Sequence, residues 1–332
     1  MWPGLVAALR AAGRSAGQPA ALPVSRVAPP TQPEPGEKPM RVVTYNIQYG
    51  KGRDERYDIE RTAAALDGAD IIGLQEVEAF WDRSGNIHQC ERIAELLGLH
   101  SVYGVTVDIH KGLALPDGRT RDVRRQFGNA VLSRWPILTS RTFLFPKLSP
   151  ANAHAIQRGI TEATIATPLG PVRVYSTHFS HLCEEERLDH ARIALELHRR
   201  AHADGPVASG GHADPSWLED SPPPVPAEAI LLGDLNLTPD SPIYAVLTGP
   251  VSEMYGRLHR PDGFVDTWTA AGHDEASGPT FYHGDEGWQA RTGERIDYVL
   301  ATPGLAKRVT AAEVLTGIDA SDHQPLAVTF EV

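Results

Sequence analysis

Residues 229–236 read AILLGDLN. Ala229 to Leu232 form a short apolar run, and Gly233, Asp234 and Asn236 end it. A run this short, closed by turn-forming residues, predicts a strand over 229–233, buried on both faces, rather than a helix. Such strands belong to sheets covered by helices, and polar residues at their ends have a rigid support and an open side. The same pattern recurs on either side. RVVTY leads to Asn46, DIIGL to Gln75 and Glu76, and VRVYST to His178; Asp322 and His323 stand just before PLAVTF, and Asp297 lies inside IDYVL. Strands are expected over 41–46, 70–75, 130–133, 172–178, 296–301 and 326–330. Helices are expected over 58–66, capped by Asp58, over 89–97, ended by Gly98, and over 184–202, acidic at its start and basic near its end. Strands alternating with helices, some able to pair antiparallel, give an α/β domain with mixed sheets.

The chain has 332 residues, 22% of them charged and 41% hydrophobic, which suits a folded core and excludes a mostly disordered chain. Two cysteines exclude a disulfide scaffold and a four-cysteine zinc module. No run of 18 apolar residues occurs, so no spanning helix is expected. The net charge of −11 argues against holding polyanions by bulk charge, so any phosphate recognition must be local. Residues 1–39 differ from the rest, being rich in Ala, Pro, Gly and Arg. They read as a disordered leader or a mis-assigned start, with a single domain over 40–332. Their four basic and two acidic residues leave −13 for that domain. The run near Trp2 makes a poor secretory signal. With few cysteines, this favours a cytoplasmic location. A chain starting at Met40 is expected to keep full activity, checked by assaying the truncated protein. Residues 204–228 form a Gly/Pro-rich loop too long for an ordinary connection, expected to be an active-site rim or floppy.

Each strand-end cluster alone has an ordinary reading as a turn, a cap or a core histidine. Five of them at separate strand ends point to one site. Carboxylate and amide oxygens suit a hard cation, Mg²⁺ above all, with Mn²⁺ as a second choice. An Asp–His couple handles protons, and Asn and His donors stabilise an anionic oxygen. Cation, proton-handling pair and donors together fit attack of water on a phosphoester. A local basic cluster, Arg119, Arg121, Arg124 and Arg125, is either a solvated loop or a phosphate clamp. The spacing of His178, His181 and Cys183 is not a standard zinc pattern.

The ordered set RVVTYNIQYG, IIGLQEVE, FGNAVLSRWPI, VYSTHFSH, ILLGDLNLTPDSPIY, RIDYVLA and SDHQPLAV resembles the endonuclease/exonuclease/phosphatase superfamily, over about residues 41–332. The resemblance implies a deoxyribonuclease I-like four-layer sandwich, two packed mixed β-sheets flanked by helices. It implies that Glu76, Asn46 and Asp322 belong to the metal site. It implies catalytic roles for His178, Asp234, Asn236, Asp297 and His323, with Asp297 pairing with His323. Between His323 and Asp234, His323 is preferred as general base. Asn129 and Arg158 are implied as further rim contacts with substrate, and Arg124 and Arg125 are added from the basic cluster. The activity expected is a Mg²⁺-dependent phosphodiesterase acting on a small or lipid-linked phosphoester. A nuclease is the alternative, and a binding protein on the same fold is a further one. Substrate, metal number and oligomeric state are not readable from the sequence.

Overall fold

The structure, a computed structural model, describes residues 38–152, 154–214, 216, 223–284 and 292–332. All but the last two residues of the leader lie outside that range. Twelve strands build two sheets: β1 Met40–Asn46, β2 Ile71–Ala79, β3 His100–His110, β4 Arg124–Ser133, β5 Ile137–Leu144, β6 Gly159–Thr167, β7 Gly170–His178, β8 Ala229–Asp234, β9 Val265–Asp266, β10 Asp297–Ala301, β11 Val309–Val314 and β12 Leu326–Phe330. The first sheet has the order β11-β12-β1-β2-β4-β3 and the second β9-β10-β8-β7-β6-β5. Each is antiparallel except for one inner parallel pair, β1 with β2 and β7 with β8. A parallel pair needs a crossover, and here helices supply it. Helix α1 (Ile59–Ala64) lies between β1 and β2, and α3 (Glu184–Asp204) lies between β7 and β8. Helix α2 (Gln89–Leu97) follows β2.

Local chemistry sets these elements. Asp58 accepts from Arg61 N at 2.9 Å and starts α1. Gly98, at φ 66°, ends α2 in the left-handed conformation that a side chain disfavours. Three glutamates occupy the first turn of α3, where the helix dipole favours negative charge.

Period-2 alternation then sorts each strand. Val42, Ile71, Val174, Ile230, Leu232 and Val299 fill the space between the sheets. Their neighbours Val43, Ile72 and Leu74 pack with Ile59 and Ile93 of α1 and α2. On the other side Tyr175 and Leu231 pack with Ala191 and Leu195 of α3. The result is the expected four layers of helices, sheet, sheet and helices. The sheets approach closely at Gly73, where a Cβ would stand 2.7 Å from Leu232 Cδ1.

The sequence expectation holds for the ordered β–α core and falls short at the edges. β2 runs to Ala79 rather than ending at 75, and β3, β5, β6, β9 and β11 were not read as strands. The loop after α3 is tied down at its described ends, far from where β7 and β8 finish. Arg141 Nη2 donates to Gly205 O at 2.5 Å, and Arg173 Nε donates to Pro226 O at 2.8 Å. Arg173 pairs with Ala229 at one end of the β7–β8 ladder, whereas His178 pairs with Asp234 at the other. The described ends of 204–228 are therefore neither a site rim nor loose, and the rest of that loop includes residues outside the described ones. No helix among the described residues is long and apolar enough to cross a membrane.

Candidate active site

The alternation that builds the core also builds the site. Asn46, Gln75, His178, Asp234 and Asp297 have the same parity as the inter-sheet core residues on their strands, so all five turn into the gap between the sheets. Register completes the arrangement. Asp297 pairs with Asp234, and Asp234 with His178, across the second sheet. Asn46 pairs with Gln75 across the first. Gln75 Nε2 reaches across to Ser176 Oγ at 3.1 Å, and that hydroxyl donates back to Leu74 O at 2.9 Å, fastening the sheets beside the site. Loss of such a buried partner costs about 1–3 kcal/mol.

Asp234 is the meeting point. Its Oδ2 accepts from Asn46 Nδ2 at 3.0 Å and lies 3.2 Å from His178 Nε2 and 3.7 Å from His323 Nε2. Its Oδ1 accepts from Asn236 N at 2.9 Å, where the chain turns through Asn236 at φ 50°. The Asn236 side chain donates to Phe179 O at 3.1 Å, beside His178. Burial works against ionisation of Asp234, but the neighbouring His178 and His323, with the hydrogen bonds from His178 and Asn46, hold its carboxyl below the usual range.

The two histidines differ in state. Arg158 Nη1 donates to His178 Nδ1 at 2.9 Å, which makes Nδ1 the acceptor; Nε2 lies 3.2 Å from Asp234 Oδ2 and 3.0 Å from Asn236 Nδ2. Burial, then the Arg158 charge, pushes His178 down to about 4. His323 has the opposite setting. Its Nδ1 lies 2.7 Å from Asp297 Oδ2, and Thr280 Oγ1 accepts from Asp297 N at 3.2 Å. Burial works against a charged ring, but Asp297, then Asp234 and Asp322, outweigh it and push His323 up to about 10.

Glu76 reaches the site by a break in the pattern. Its parity on β2 is outward, yet the β2–β4 register shifts between Leu74 and Val77, and Glu76 sits at φ 58°. A bulge of this kind re-aims a side chain. Glu76 Oε1 lies 3.8 Å from His178 Nδ1, and no hydrogen bond from a described residue reaches its carboxylate. Burial raises its pKa, with Arg158 pulling the other way.

These donors fit a hard divalent cation. Asp297 Oδ1 is buried without a hydrogen bond, and the part-exposed Glu76 carboxylate accepts no hydrogen bond from a described residue. Buried acidic oxygens without partners are costly unless a cation takes them. Among the described residues, Asp234, Asp297 and His323 each offer a ligand atom within 4.8 Å of the others. Asp322 stands close by, accepting from Gln48 Nε2 at 3.0 Å.

The other candidates separate. Arg158 is buried at the site and also reaches the exposed His181, Nη2 to Nδ1 at 3.3 Å. With its guanidinium between the two rings, His178 and His181 do not form a zinc pair. Asn129 is buried rather than at the rim; it donates to Gly159 O at 3.0 Å and so holds the backbone next to Arg158. Arg124 pairs with Asp108 at 2.8 Å, and Arg125 lies 4.9 Å over the Trp81 ring with no ion pair. Neither touches the His–Asp cluster. Gln48, Thr280, Ser321 and His181 were missed as site residues. Ser321 accepts from His323 N at 3.2 Å and donates to Asn46 O at 2.7 Å. Its position in SDH, and that of Gln48 two residues after Asn46, were the available signals.

A two-sheet α/β sandwich with an acidic, histidine-containing site at one edge defines the class. The model of the Endonuclease/Exonuclease/phosphatase family matches residues 43–323, and the chain belongs to that family, whose members are generally hydrolases of phosphoester bonds. No curated protein sequence matches it. Several solved structures share the fold. An endonuclease/exonuclease/phosphatase from Beutenbergia cavernae is 24% identical over 89% of this chain and 72% of its own, with TM-score 0.58. A mannosyl-6-phosphatase from Bacteroides thetaiotaomicron is 18% identical over 88% of this chain and 100% of its own, with TM-score 0.59. A humanized TDP2 from D. rerio is 16% identical over 89% of this chain and 99% of its own, with TM-score 0.53.

Proposed function

We propose that the chain is a divalent-metal-dependent phosphodiesterase that uses water to cleave a small or lipid-linked phosphoester. The observation that carries this is the convergence on Asp234 Oδ2 of Asn46, His178 and His323, drawn from both sheets, beside the open Glu76 carboxylate. Glu76, Asn46 and Asp322 would hold Mg²⁺ or Mn²⁺. When bound, that cation supplies positive charge to the phosphoryl oxygens and lowers the pKa of water. Asp234, with Asn236 ordering its turn, orients the attacking water and accepts its proton. The His323 ring has a carboxylate at each nitrogen, which holds it as the cation. In this reading it offers a proton and charge at Nε2. His178, with Nε2–H, and Arg158 face the same phosphoryl group.

A diester carries one negative charge at phosphorus, and one buried guanidinium, Arg158, faces the site without a carboxylate partner among the described residues. Nucleic acid is less well supported. Arg119 pairs with Asp117 and Arg124 with Asp108, so two of the four arginines of the basic cluster are already committed to carboxylates.

Hydrolysis of bis-p-nitrophenyl phosphate and p-nitrophenyl phosphate, with Mg²⁺, Mn²⁺ or EDTA, tests the reading. Metal-dependent release from the diester above the monoester is expected. Equal rates with EDTA would refute metal dependence, and a dominant monoester rate would make the chain a phosphatase. Arg125→Ala is expected to raise KM about three- to tenfold with little change in kcat, and Arg124→Ala to change neither, because only Arg125 has an uncommitted charge. Matching KM values in the two variants would place Arg125 outside the substrate path.

A further inference from the structure

β1 and β2 run side by side as far as the Asn46–Gln75 pair. The bond from Ile47 N to Gln75 O, 3.1 Å, extends that ladder by one rung. Beyond it the two chains part. One turns away through Gln48 and Tyr49, at φ 44° and 47°, while β2 continues through Glu76 at φ 58°. A non-glycine residue persists there only where its surroundings hold it, so the arms carrying Asn46 and Glu76 need fastening from outside.

Residues 83–89 supply two fastenings, both between Tyr49 and Glu78. Gln89 is 1% exposed at the start of α2. Its Nε2 donates to Tyr49 O at 2.7 Å, and its Oε1 accepts from Glu78 N at 2.8 Å. The carboxamide thus acts as an added peptide group, making two bonds that the diverging ladder no longer makes. In parallel, Arg83 pairs with the fully buried Glu78 carboxylate, which also accepts from Ser84 Oγ at 2.7 Å. The Arg83 guanidinium carbon lies 3.8 Å from the centre of the Tyr49 ring. Neither Gln89 nor Arg83 bonds to the side chain of Asn46 or Glu76.

We infer that Gln89 and Arg83 are positioning residues that set the spacing between Asn46 and Glu76, so that the cation-holding half of the site is held from the 83–89 segment. This rests on the reading that Asn46 and Glu76 hold a divalent cation. Groups bonded directly to metal ligands typically change metal affinity by about 10–100-fold, and Gln89 and Arg83, one step further out, are expected at the low end of that range or below it.

The test is calorimetric titration of the full chain with Mn²⁺ alone, without substrate. Gln89→Leu is expected to weaken Mn²⁺ binding about tenfold. At saturating Mn²⁺ it should lower kcat on bis-p-nitrophenyl phosphate and leave KM unchanged. Wild-type affinity in a folded Gln89→Leu protein overturns the inference. If circular dichroism shows that this variant does not fold, Arg83→Lys decides. It keeps a cation for Glu78 and loses the flat contact with Tyr49, so a rise in Kd of about threefold is expected, and no change overturns the inference. A wild type that binds no Mn²⁺ would remove the metal reading itself, and this inference with it. A wild type that binds while the variants match it would remove only the positioning role.

Discussion

His323→Gln is expected to lower kcat on the diester by about 10²- to 10⁴-fold, the usual worth of a positioned acid–base group. The ring lies between Asp297 and Asp234, and no other described residue offers a titratable nitrogen to both. Glutamine is the better test than alanine. His323→Ala would strand Asp297 Oδ2 in a buried site where Oδ1 already lacks a partner, and a buried carboxylate losing its partner destabilises by several kcal/mol. Glutamine can still donate to Asp297 but cannot carry a proton to substrate. A kcat loss at nearly unchanged KM and melting temperature is therefore expected. Wild-type turnover in His323→Gln would sink the assignment of the site.

Glu76→Gln is expected to do the reverse of an ordinary core substitution. No hydrogen bond from a described residue supports the Glu76 carboxylate, and its burial already disfavours the charge. Removing the charge with an isosteric amide should leave the metal-free protein as stable as the wild type or more so. Mn²⁺ affinity should fall by at least about tenfold, since even outer-shell changes have that effect. Thermal melts with and without Mn²⁺ read both effects: the wild type should gain stability from the ion and the variant should not. An equal Mn²⁺-induced rise in both would show that Glu76 is not a ligand.

The sequence carried the parts of this molecule that depend on short-range pattern. The buried strands β1, β8, β10 and β12 are brief apolar runs with clear ends, and the helices have readable caps. β6 was harder to see, because GITEATIAT alternates small residues and threonines, and its burial comes from strands on both sides rather than from its own composition. The site residues at regular strand ends were legible because parity and termination act locally. The bond from Asn129 to Gly159 of another strand was not legible in the sequence, and Arg125 differs from Arg124 only through Asp108 and Trp81. Gln89 looked like any helix-opening residue until the two chains it joins were in place.

β1 and β12 are neighbours, with Met40 opposite Phe330. One side of β1 therefore stays unpaired until β12 has docked, and His323 stands just before β12. Before β12 docks, Asn46, Glu76, His178 and Asp234 lack the His323 ring that lies between Asp297 and Asp234, and one edge of β1 lacks its partner. Long-range pairing of this kind slows folding and leaves an open strand edge in the meantime. The same topology makes closure of the first sheet and completion of the candidate site one event.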